Sequence, residues 1–133
     1  MAKVAYCGHF LDGGGYCTAS INYIEALEKA GLEVVAIPFC LSKKTLKMSP
    51  IVEKSYNRKM NGVDVVILHT LPEFFSPHPS LPTIGIFSTE MSGIPQKWVN
   101  EINKLPYCIV SSEQSKAACY NSGVLTKIDK IPY

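Results

Sequence analysis

Lys3-Val4-Ala5-Tyr6-Cys7, then Gly8-His9-Phe10-Leu11-Asp12-Gly13-Gly14-Gly15, then a helical run closed by Gly31, then Glu33-Val34-Val35-Ala36-Ile37: this opening stretch decides the fold. The first segment reads as a short apolar strand, and the glycine-rich segment as a loop. Behind it Ile21, Ile24, Leu27 and Ala30 recur on one side of a helix, with Glu25, Glu28 and Lys29 on the other. Gly31 is placed to end that helix in a left-handed conformation. The second strand is apolar nearly throughout and rich in β-branched residues, which suits a strand buried on both faces. Strand, glycine loop, helix, glycine cap, strand is a βαβ unit, so the two strands are expected to run parallel.

Working outward, the same alternation continues. Asp64-Val65-Val66-Ile67-Leu68-His69 reads as a third strand, Thr83-Ile84-Gly85-Ile86-Phe87 as a fourth, Tyr107-Cys108-Ile109-Val110 as a fifth, and Ile128 to Ile131 as a last one. Ser49-Pro50 looks like a helix start, with a short helix running to about Met60. A further helix starts at Ile94-Pro95, with Pro95 at its first position and Trp98, Ile102 and Leu105 following at i, i+4 and i+7. Ser111 and Gln114 fit a capping box opening another helix, which Gly123 closes. Leu71 to Pro82 carries too many prolines for a helix or a central strand, and reads as a loop at the C-terminal end of the third strand. The expected fold is α/β: one Rossmann-like domain over residues 1–133, with a doubly wound, mostly parallel sheet. Its ligand crevice would lie at the strands' C-terminal ends.

Composition removes several function classes. With 47% hydrophobic and 18% charged residues the chain is globular rather than disordered. A net charge of +2, with no basic stripe interleaved with aromatics, argues against nucleic acid as a partner. The start runs straight into a strand-like segment without the features of a secretory signal, and no apolar run approaches the roughly 20 residues needed to span a bilayer, so a cytoplasmic location is expected. The five cysteines, Cys7, Cys17, Cys40, Cys108 and Cys119, are scattered without a C-x-x-C pair, which argues against a disulfide framework or a zinc site. Between Cys40 and Gly62 the chain turns basic. That stretch is either a solvated excursion between strands or a phosphate- or membrane-facing patch, with Lys43, Lys44 and Lys47 as its peripheral membrane contact.

Glycines between a strand and a helix leave backbone N–H groups open and aim the helix dipole at whatever binds there, a sound basis for an anion site. The specific signatures fail, however. A P-loop needs Lys-Ser/Thr after its last glycine, where this chain has Tyr16-Cys17, and the dinucleotide fingerprint needs a glycine where Thr18 stands. The loop is therefore either a turn without a ligand or a site for a phosphate group delivered partly by another domain.

Four segments in order carry a family resemblance. Phe87-Ser88-Thr89-Glu90-Met91-Ser92-Gly93-Ile94-Pro95-Gln96-Lys97-Trp98 resembles the E-T/S … I/L-P-x-x-W segment of retaining, group-1 (family 4-like) glycosyltransferases of the GT-B fold. Ile109-Val110-Ser111-Ser112-Glu113-Gln114-Ser115-Lys116 is similar to their V-x-S-x-x-S/N-K strand-to-helix turn, and Ser122-Gly123-Val124 to the S-G-V that closes that helix. Gly13-Gly14-Gly15-Tyr16 followed by Ala19-Ser20-Ile21-Asn22-Tyr23 is similar to their glycine loop and first helix. The resemblance covers most of the chain and is weakest between Cys40 and Gly62. It implies two Rossmann-like domains facing each other, an N-terminal one that binds the acceptor and a C-terminal one that grips the nucleotide sugar. The donor-binding half is not in this sequence. The resemblance thus implies that domain and a sugar or glycan acceptor as partners, and no sugar transfer by this chain alone.

It also implies roles. Gly13, Gly14, Gly15 and Tyr16 would approach the donor diphosphate, whose developing charge most needs stabilising. A nucleotide-sugar co-substrate is expected, and neither a cofactor nor a metal. Glu90 and His69 are the implied catalytic residues, against readings in which Glu90 caps the next helix and His69 is structural. His9, Phe74, Phe75, Ser111 and Glu113 are the implied acceptor contacts, although the phenylalanines could tuck the loop onto the core and Ser111 could simply cap a helix. Glycoside hydrolysis through Glu73 and Glu90 lacks any further support. The alternative is a standalone Rossmann- or flavodoxin-like module that binds a nucleotide or a protein without chemistry.

Overall fold

The apolar opening segment forms β1 (Lys3–Gly8), which leads to α1 (Gly15–Lys29) and β2 (Glu33–Pro38). α2 (Pro50–Tyr56) and β3 (Val65–His69) follow, then a 3-10 turn at Pro72–Phe74, β4 (Thr83–Phe87), α3 (Gln96–Ile102), β5 (Tyr107–Val110), α4 (Glu113–Asn121) and β6 (Lys127–Lys130). The computed structural model describes residues 2–9, 15–38, 50–56 and 58–132. Gly13, Gly14, Cys40, Lys43, Lys44 and Lys47 lie outside the described residues.

The fold is α/β, with parallel, Rossmann-like strands flanked by helices. The chain divides into two compact units, Met1–His69 and Thr70–Tyr133. In the first, β1 is the middle strand. It pairs parallel with β2 (Val4 opposite Val34) and with β3 (Val4 opposite Val65). In the second, β5 is the middle strand, paired parallel with β4 (Ile86 opposite Ile109) and β6 (Cys108 opposite Ile128). After their first residue β1 and β3 are buried throughout, as their near-continuous apolar sequence requires of strands covered on both faces.

Helix ends differ from the sequence expectations at three places. α2 stops at Tyr56 rather than near Met60. Pro95 is the residue before α3 rather than its first position, and it caps without a side-chain bond. Ser111 does not cap α4. Ser112, one residue later, adopts the extended cap conformation (φ −149°, ψ 159°) and its hydroxyl accepts from the Ser115 amide at 3.1 Å. Gly31 (φ +90°) and Gly123 (φ +100°) do end α1 and α4 in the left-handed region that side chains avoid. Leu32 N–H then bonds Leu27 O, and Val124 N–H bonds Cys119 O, satisfying the last carbonyls of each helix.

In the first unit Ile24 of α1 and the strand residues Tyr6, Val34 and Leu68 are all buried. In the second unit Val99 and Ile102 of α3 are buried, as are Phe75, Phe87 and Leu105. Trp98 is half-buried, its ring edge-on to Phe87 at 6.0 Å. Among the described residues no helix is long and apolar enough to cross a membrane.

Candidate functional site

In the first unit the strand ends gather an aromatic cluster. β3 ends at His69, which lies opposite Gly8 in the register with β1, so His69 and His9 emerge at the same end of neighbouring strands. Tyr6 of β1 places its hydroxyl against His69 Nδ1 in a short hydrogen bond, with the tautomer deciding which of the two donates. Three tyrosine rings enclose the imidazole at centroid distances of 5.3 Å (Tyr16), 5.3 Å (Tyr23) and 6.0 Å (Tyr6), each nearly perpendicular to it. Tyr16 also lies 5.7 Å from the His9 ring. Tyr16 and Tyr23 are seven residues apart on α1, two helical turns, which is why both reach one face.

Burial governs the chemistry of this cluster. His69 is fully buried and His9 almost so, while Tyr16 and Tyr23 are half-buried. Burial disfavours the imidazolium, and the neighbouring His9 adds repulsion, so the His69 pKa falls to about 3. His69 therefore stays neutral at physiological pH, a hydrogen-bonding group rather than a source of charge. Gly15 opens α1, whose first turn carries no acidic residue, so its N-terminal amides remain compatible with an anion.

In the second unit polar side chains collect where β4 and β5 end and α4 begins. Ser111 Oγ lies 2.7 Å from Ser88 Oγ, the hydroxyl just past β4. Ser115 Oγ donates to Thr89 O (2.8 Å) and accepts from Thr89 N–H (3.2 Å), tying the segment after β4 to α4. Gln114, the residue expected in the capping box, instead donates its Nε2 to Glu90 O at 2.9 Å. The Glu90 backbone is thereby held while its carboxylate is exposed and has no partner among the described residues. No side chain caps α3, so that role does not fall to Glu90.

The other expected contacts divide. Phe75 is buried, edge-on to Phe87 at 6.2 Å, whereas its neighbour Phe74 is 41% exposed. The 3-10 turn explains the split: it ends with Phe75 N–H on Pro72 O, which sends adjacent side chains to opposite sides. Glu113 pairs with Lys130 at 3.5 Å and Glu73 with Lys97 at 3.5 Å, both at the surface. Sequence reasoning missed Tyr6, Tyr23, Ser112 and Ser115. The seven-residue spacing of Tyr16 and Tyr23 was the one available signal.

Two other features bear on chemistry. Burial pushes the Cys7 thiol up to about 11, that of Cys119 up to about 12, and that of Cys108 further up, so all three are inert thiols rather than nucleophilic thiolates. Among the described residues no group of three or more His, Cys, Asp and Glu side chains is arranged to hold a metal ion. An open pocket of about 470 Å³, lined by Glu28, Gly31, Leu32, Glu33, Lys54 and Arg58, lies at the N-terminal end of β2, away from the strand ends just described. No protein-family model matches the chain, and no curated protein matches it.

Proposed function

We propose that the chain serves as the acceptor-side domain of a nucleotide-sugar-dependent glycosyltransferase of the two-domain GT-B type. The observation that carries the reading is the state of Glu90. It follows β4 after Ser88 and Thr89, its backbone is pinned by Gln114 Nε2, and its carboxylate has no partner among the described residues. An exposed carboxylate on a fixed backbone past a strand's C-terminal end, left without an internal partner, is suited to accept hydrogen bonds from sugar hydroxyls. Supporting it, the resembling segments lie after β4, at the β5–α4 turn and at the start of α1, the strand-end positions where parallel α/β sheets take ligands.

Under this reading Glu90 orients the acceptor, the Ser88–Ser111 hydroxyl pair offers it further hydrogen bonds, and the exposed ring of Phe74 provides a face on which a sugar can stack. Gly15 and Tyr16 at the start of α1 bind the donor's diphosphate, a role the resemblance also assigns to Gly13 and Gly14. His69 acts as a buried neutral group that sets the position of Tyr16. The donor-binding domain is the partner that completes the enzyme.

The test uses the whole protein encoded by the gene, assayed for nucleoside diphosphate release with a panel of nucleotide sugars and sugar acceptors. Glu90→Gln is expected to raise the acceptor KM and lower kcat/KM by about tenfold to a hundredfold, the worth of a charge-assisted hydrogen bond to a substrate hydroxyl. Unchanged kinetics remove Glu90 from the site. Tight nucleotide binding without transfer to any acceptor favours a binding module instead.

A further inference from the structure

Among the described residues β2 is an edge strand: in the first unit β1 pairs with it on one side, and no other described strand lies beside it. Successive residues of a strand direct their backbone groups to alternate sides. Glu33 N–H bonds Ala2 O at 3.0 Å, toward β1, so Val34 presents its N–H and C=O outward. Such outward groups are a template for pairing with another chain. Here both are taken by side chains. Glu28 Oε1 accepts from Val34 N–H at 3.4 Å, and Arg58 Nη1 donates to Val34 O at 3.0 Å.

The two side chains also hold each other. Arg58 and Glu28 form a short ion pair whose side chains are 19% and 15% exposed, the most buried of the pairs among the described residues. Fully buried Ser55, on α2, adds its hydroxyl to Glu28 Oε1 at 3.4 Å. Glu28 belongs to α1 and Arg58 follows α2, so the pair ties both helical segments across the outside of β2. Further along, Pro38 has no N–H to offer. The edge strand of the second unit shows the same solution independently: Tyr120 Oη accepts from Ile128 N–H of β6 at 3.1 Å, and Lys127 and Lys130 flank it.

We propose that the Glu28–Arg58 pair is a closure device for the β2 edge, occupying the outward backbone groups of Val34 and so preventing a second copy of this chain from adding a strand there. Breaking the pair opens an acceptor edge, and the chain then self-associates through β2.

Sedimentation velocity and amide hydrogen exchange on Arg58→Ala and on Glu28→Gln test this. Glu28→Gln keeps the acceptor oxygen for Val34 and Arg58 and should sediment like the unmodified chain. Arg58→Ala should self-associate with a constant raised at least about tenfold, its Val34 amide exchanging at least about tenfold faster at low concentration and regaining protection at high concentration. A folded Arg58→Ala chain that sediments as the unmodified one overturns the proposal, as does association that leaves the Val34 amide unprotected. Where Arg58→Ala loses its far-UV circular dichroism, Arg58→Lys replaces it, keeping the cation without the planar fork. An unchanged Val34 exchange rate in that variant overturns the proposal equally.

Discussion

Mild acid should destabilise the first unit through one buried side chain. His69 is fully buried, and its folded pKa of about 3 lies below the value of about 6.5 expected in an unfolded chain. The sign follows from which state takes up the proton. Below pH 6.5 the unfolded chain binds it and the folded chain does not, so the His69 contribution is intact above about pH 6.5 and is lost as the pH falls toward about 3. Well below pH 6.5 each pH unit in that window costs about 1.4 kcal/mol, so about 2 kcal/mol should disappear between about pH 6.5 and pH 4.5. That is a large share of the 5–15 kcal/mol typical of a domain. The assay is urea unfolding at stepped pH, run in parallel on the unmodified chain and on His69→Gln, which keeps a polar partner for Tyr6 but cannot titrate. The two stability curves should converge as the pH falls through this window, because His9 and His78 are common to both. Parallel curves would show that His69 is not buried as a neutral group, and the account of the aromatic cluster would fail with it.

Three further outcomes follow from packing and capping. Gly85→Ala should destabilise by about 1–3 kcal/mol in thermal unfolding, because an added Cβ would stand 2.7 Å from Phe75 Cε2 and 2.8 Å from Leu105 Cδ1. Ser112→Ala should cost about 1 kcal/mol in denaturant titration and Ser111→Ala distinctly less, since only the former removes the α4 cap. The Tyr107 phenol bonds Asp129, which with burial raises its pKa to about 12. Asp129→Asn should therefore bring the Tyr107 titration, followed by ultraviolet difference spectroscopy, back toward about 10.

The arrangement suggests how a domain of this kind divides its labour. In the first unit the strand ends are occupied by rings packed around a neutral imidazole, which under the proposed reading positions Tyr16. In the second unit the groups after β4 and β5 are hydroxyls bonded to one another, leaving one carboxylate without a described partner. Under the proposed reading, the charge at the acceptor is supplied by Glu90. Chemistry at the donor rests on the glycine loop and the partner domain, under the reading proposed above.

What the sequence by itself determined was local. Strand and helix order, the parallel α/β class and the glycine caps at Gly31 and Gly123 were legible because periodicity, β-branched runs and left-handed turns depend on residues only a few positions apart. Boundaries moved by a residue or more at Pro95 and Ser112, where adjacent residues could each fill the same role. Only the tertiary structure decided the rest. That Tyr6 closes on His69, that Ser111 meets Ser88 instead of capping α4, that Phe75 enters the core while Phe74 stays out, and that Arg58 reaches Glu28 and Val34, all depend on sheet register and helix docking. Those pairings join residues 12 to 63 positions apart or turn on which of two neighbours faces inward. No local spacing encodes them, because they follow from burial competing across the whole fold.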